Sequence, residues 1–143
     1  MLLIDHQTGT MSWTHSHDVE HVEKSALNLA KIATAVGMPL VLTSSQEDRR
    51  QGPLVPELEE IAPKAVAYRI KRTGIVNAMH DEGYEVQVVT DASASFTKIG
   101  DDAALRRMEQ AGAVITSTAQ ITSELAVDWT SPRGQGLAAL MGL

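Results

Sequence analysis

The stretch Leu2-Leu3-Ile4-Asp5-His6-Gln7 is a short apolar run that stops on an acid. A run of this kind, closed by polar residues, reads as a buried strand over residues 2–5. The rest of the chain supplies its partners. Residues 17–36 read as a long helix, because Val22, Ala26, Leu29, Ala30, Ala33 and Val36 recur at i, i+3, i+4 spacing. Gly37 suits the turn that ends it. Residues 39–43 form a second strand, 44–52 a polar loop, and Pro53-Leu54-Val55-Pro56 opens a short helix that ends before Pro63. A third strand is expected over 65–70 and a weakly helical piece over 74–82. Glu85-Val86-Gln87-Val88-Val89-Thr90 is a further strand with Asp91 at its end. A helix over 101–112, capped by Asp101 or Asp102, leads to a strand over 113–116. A helix over 120–129 and a short one after Pro132 complete the chain.

Strands that alternate with helices of ten or more residues imply a three-layer α/β/α domain with a mainly parallel, Rossmann-like sheet. The 143 residues make one domain, 1–143. Residues 2–5 are expected at the centre of the sheet. In such a fold ligands bind beyond the carboxyl ends of the strands, which here carry Asp5-His6-Gln7, Ser44-Ser45, Lys71-Arg72, Asp91-Ala92-Ser93 and Ser117.

Composition excludes several classes of function. With 43% hydrophobic and 21% charged residues a core forms, and disorder is not expected. The net charge of −6 and the absence of a dense Lys/Arg cluster disfavour nucleic acid. No apolar run approaches the roughly 20 residues that span a bilayer, and no basic region precedes Leu2, so a cytoplasmic location is expected. There is no cysteine, which excludes disulfides, thiolate metal sites and cysteine nucleophiles.

Four groups of residues invite a chemical reading. Asp5, at the rim of the sheet and partly desolvated, suits general-base work, though acids in such places also serve as caps or rim salt bridges. Lys71 or Arg72 is placed to pair with Asp5 or to stabilise an oxyanion, unless both are a solvated basic turn. His17 and His21 share a helical face, and with His15, Asp18 or Glu20 they offer ligands to zinc or nickel. Their spacing matches no specific metal motif, so no metal is assigned. Ser93 and Ser95 lack a nucleophile elbow and an evident base, and turn formation is their expected role. No phosphate-binding loop or dinucleotide fingerprint is present, and no cofactor is expected.

Taken together, these segments resemble the isochorismatase-like cysteine hydrolases, most closely their YcaC-type branch. The resemblance rests on residues 2–7, on Pro39-Leu40-Val41-Leu42-Thr43-Ser44-Ser45, and on Gly52-Pro53-Leu54-Val55-Pro56-Glu57-Leu58. It continues through Lys71-Arg72-Thr73-Gly74-Ile75-Val76-Asn77-Ala78, residues 82–93, Arg107-Met108-Glu109-Gln110-Ala111-Gly112-Ala113 and Glu124-Leu125-Ala126-Val127-Asp128-Trp129. It implies hydrolysis of amide-type C–N bonds in a small molecule, and a homo-oligomer. It also implies Asp5 as the base, Arg72 (with Lys71 the runner-up) as the supporting cation, and Gln7 and Asn77 as substrate contacts.

The chain departs from the family at the third catalytic group. The family's nucleophilic cysteine lies on a turn after the fourth strand. By the resemblance, roughly 35 further residues, about one strand–helix unit, belong between Asn77-Ala78 and Glu82-Gly83. Here Met79-His80-Asp81 joins the two sides directly. One central strand is thus missing. Either the strand over 85–90 slides in beside residues 2–5, or the sheet keeps a gap, or the natural protein carries a segment that this sequence lacks. The expected function is that of a family hydrolase impaired by loss of its nucleophile. The alternatives are a non-catalytic oligomeric binding protein and a metal-binding protein built on the His cluster.

Overall fold

A computed structural model of the chain describes residues 1–72 and 85–142. The helical piece expected over 74–82, and Asn77 with it, lie outside the described residues. The elements run β1 (Leu2–Ile4), α1 (Thr8–Ser12), α2 (Val19–Ala35), β2 (Val41–Ser45), α3 (Glu57–Ile61), α4 (Pro63–Ala67), β3 (Ile70–Arg72), β4 (Gln87–Val89), a 3-10 turn (Thr90–Ala92), α5 (Lys98–Gln110), β5 (Val114–Thr116), α6 (Thr118–Ala126) and α7 (Pro132–Met141). This is an α/β architecture in which every paired strand is parallel. Among the described residues no helix is long and apolar enough to cross a membrane.

Helix α2 is the spine of the molecule. Asp18 caps it by accepting a hydrogen bond from the Glu20 amide, and Gly37 turns the chain away in a left-handed conformation (φ 69°). Its apolar stripe enters three clusters. Val22 and Ala30 pack with Leu3, Leu42 and Leu58; Ala26 and Leu29 pack with Ala92; Ile32 packs with Ala126 and Leu137. One helix therefore holds both sheets and the carboxyl-terminal helices.

Among the described residues the strands form two sheets rather than one. The first has the order β1-β2-β3, the second pairs β4 with β5. This corrects the expectation that residues 2–5 form a central strand: β2 takes the middle place, and β1 pairs with β2 alone among the described residues. It also decides against β4 sliding in beside β1, because among the described residues the two strands lie in separate sheets. The third strand is displaced too. Pro63 occupies the first turn of a helix, and Ala65 and Val66 pack from that helix against the first cluster. The strand therefore starts at Ile70, and Lys71 and Arg72 lie within it rather than after it. Helix α5 begins earlier than expected, with Thr97 as its cap. Asp101 is buried and holds His17 instead.

Candidate active site

Asp5 stands one residue beyond β1. Its amide continues the ladder, donating to the Thr43 carbonyl at 3.1 Å, but its backbone is left-handed, with φ 54°. Strict alternation along β1 gives Asp5 the face shared by Leu3 and Leu42. The left-handed turn sends the carboxylate to the other face. There Thr43 Oγ1 donates to Oδ1 at 3.0 Å and Ser45 Oγ donates to Oδ2 at 3.3 Å. Positive φ at a non-glycine residue costs about 1 kcal/mol or more and is tolerated best by Asp and Asn. Here it places a carboxylate above the carboxyl end of the sheet.

Arg72 reaches the same carboxylate from the far edge. It pairs in register with Ser45, so it shares the face of Thr43 and Ser45. Its Nη2 donates to Asp5 Oδ2. The two side chains are 18% and 17% exposed, so the ion pair is mostly desolvated. The juxtaposition of Asp5 with Arg72 expected from the strand ends is present. Lys71 takes the opposite face and pairs with Glu47 Oε2 at 3.3 Å.

Gln7 is fully buried. Its carboxamide accepts from the Ser45 amide at 2.8 Å and donates to the Ser45 carbonyl at 2.9 Å and to the Gly52 carbonyl. These bonds brace the end of β2 and the loop that follows. Thr43 and Ser45 carry no signal in sequence beyond the polar run Thr43-Ser44-Ser45 that ends an apolar strand. His6 is a further site residue that the sequence pattern does not single out, although it adjoins Asp5. Its Nε2–H donates to the Ala92 carbonyl at 3.1 Å, linking the end of β1 to the turn after β4. Its Nδ1 is buried, with no partner among the described residues. Burial pushes the His6 pKa below the ordinary 6.5, outweighing the Ala92 carbonyl and the Asp5 carboxylate, both of which favour the charged ring.

Other candidates lie apart from this constellation. Ser93 Oγ donates to the Val89 carbonyl at 3.0 Å, and the Ser95 amide donates to Ser16 Oγ at 2.9 Å. Both serines shape loops, as expected. His17 is bound to Asp101 at 2.9 Å, and among the described residues no group of three His, Asp or Glu is placed to hold a metal.

The site thus offers a proton acceptor, a fixed cation and two hydroxyl donors, with no thiol anywhere in the chain. Comparison with known proteins decides the family. Over 98% of its length the chain is 30% identical to the probable hydrolase YcaC of Escherichia coli K12, covering 83% of that protein. This chain belongs to the isochorismatase-like hydrolase family. The isochorismatase domain model itself matches residues 73–120. The crystal structure of E. coli YcaC, an octameric hydrolase of unknown specificity, superposes with a TM-score of 0.88 at 31% identity, over 98% of this chain and 84% of that one. YcaC from Pseudomonas aeruginosa, solved with hexane-2,5-diol and covalent acrylamide, gives 0.88 at 32% identity, over 99% and 86%. The alignment with E. coli YcaC spans 175 positions against a chain of 143 residues, so more than 30 of its positions face no residue here. The isochorismatase-like fold is kept over the residues that do align.

Proposed function

We propose that this isochorismatase-like chain retains the acid–base half of a hydrolase centre for amide-type C–N bonds and has lost the thiolate half. Asp5 is the proton acceptor. Arg72 pairs with it and is poised to stabilise negative charge on a carbonyl oxygen. Thr43 and Ser45 fix the carboxylate by hydrogen bonds, and Gln7 holds the strand end that carries Ser45. The observation that carries this reading is the Asp5–Arg72 pair, set at the carboxyl ends of β1 and β3 in a protein without cysteine. A covalent route needs a nucleophile to attack the carbonyl carbon. Asp5 can take up a proton and Arg72 can offset charge, but neither supplies that attack at a useful rate.

The ligand class follows as a small molecule with a carboxamide or related group. A titration with small primary amides, read by NMR, tests this. Saturable shifts at Asp5 and Arg72 that vanish in Asp5→Asn are expected; shifts unaffected by that substitution would refute a site at the pair. We further propose a homo-oligomer, on the strength of the octameric relative and of apolar Ile4, Val41 and Val114, exposed on short strands. A monomeric mass by light scattering contradicts it.

A further inference from the structure

We propose that Glu47 is a positioning residue for Arg72, clamping the edge strand β3 from the face opposite Asp5. The inference rests on the reading of Asp5 and Arg72 as the functional pair. Parallel register sets two faces at the carboxyl end of the sheet. Thr43, Ser45 and Arg72 share one, and there they meet Asp5. Ser44 pairs with Lys71 on the other, and there they meet Glu47.

Glu47 gathers four nitrogen and oxygen atoms from three side chains. Ser44 Oγ and Arg69 Nε donate to Oε1, Arg69 Nη2 donates to Oε2 at 2.8 Å, and Lys71 Nζ lies 3.3 Å from Oε2. Arg69 also donates from Nη1 to the Val66 carbonyl at 2.7 Å, closing the end of α4 where the chain enters β3. Two planar bonds from one guanidinium fix geometry as well as distance. The Arg69 hydrogen bonds are the largest cause that holds the Glu47 carboxyl at about 2, with Ser44 and Lys71 helping against burial.

A clamp is needed here because β3 has only three residues and pairs with β2 alone among the described elements. A ladder that short holds register weakly. A shift of one residue would turn Arg72 to the far face and give Lys71 its place. Glu47 ties residues 69 and 71 to the loop after β2, so residue 72 between the two carboxylates keeps the face of Asp5.

The test is NMR of 15N-arginine-labelled protein, following exchange with solvent of the Arg72 Nη2 protons that face Asp5, the signal assigned by its loss in Arg72→Lys. In Glu47→Gln this exchange should quicken by roughly tenfold, as it does when a charge-assisted hydrogen bond no longer holds the group. Glu47→Asp, which keeps the charge but withdraws it by one methylene, should fall between. If either variant is less stable to urea while Arg72 exchange stays at the wild-type rate, Glu47 is merely structural and the inference fails. If Asp5→Asn also leaves Arg72 exchange unchanged, the failure lies in the Asp5–Arg72 pair itself. The aspartate variant keeps the inference testable should the glutamine variant not fold.

Discussion

Asp5 and Arg72 sit at the ends of the two outer strands of a three-stranded sheet and meet over the strand between them. Two strand spacings separate their backbones, about 10 Å. An arginine side chain closes most of that distance, and the left-handed turn at Asp5 closes the rest. The contact therefore depends on strand order, on register and on one unusual backbone angle together.

Breaking the pair should cost stability in an uneven way. In Asp5→Asn the guanidinium of Arg72 stays mostly buried opposite a neutral amide, and a loss of about 2–3 kcal/mol is expected, somewhat less than for a fully buried pair. In Arg72→Met the Asp5 carboxylate keeps the Thr43 and Ser45 hydroxyls, so the loss should be smaller. Urea unfolding of both variants measures the order; equal losses would mean that the hydroxyls do not compensate.

His6 should make stability depend on pH on the acid side of neutrality. Burial lowers its pKa below 6.5 in the folded protein. The unfolded chain therefore takes up the proton first as pH falls, and the stabilisation present above about 6.5 is lost as pH drops through the folded value. His6→Gln removes the titration. Urea midpoints between pH 8 and pH 5 should fall for the wild type more steeply than for the variant, and parallel curves would contradict the role given to burial.

Gln7→Met tests the brace beneath the site. The side chain keeps its size but abandons the buried Ser45 amide and carbonyl and the half-buried Gly52 carbonyl. A loss of roughly 2–4 kcal/mol is expected from leaving such groups unpaired. A loss below about 1 kcal/mol would show that water or rearranged backbone replaces the carboxamide.

Local patterns make much of this legible. The stripe on α2 identifies the spine, because burial on one side of a helix writes its own period into the sequence. Asp5 and Arg72 stand out as charged residues closing apolar runs. The arrangement of strands is less accessible. Whether β4 joins β1 depends on a crossover whose length is not a property of either strand, and the structure leaves them in separate sheets. Residues 65–67 share apolar character with a strand, and only Pro63 in the first turn marks them as helix. Apart from Met11, helix α1 is built of poor helix formers, Thr8, Gly9, Thr10 and Ser12, and it buries only Met11, so no period betrays it. Within the site, the family resemblance implies Gln7 as a substrate contact, whereas its side chain is buried against Ser45 and Gly52. Glu47 reads as one charge in a polar loop, and only the register of β2 with β3 shows what it gathers.

With no thiol in the chain, the Asp5–Arg72 pair should be unable to turn over an amide by itself. Steady-state hydrolysis of small primary amides and nitriles by the purified protein, run beside Asp5→Asn, tests this most directly. Both proteins should stay at the rate of buffer alone. Turnover by the wild type that Asp5→Asn abolishes would contradict this, and would mean that another nucleophile works with the same acid.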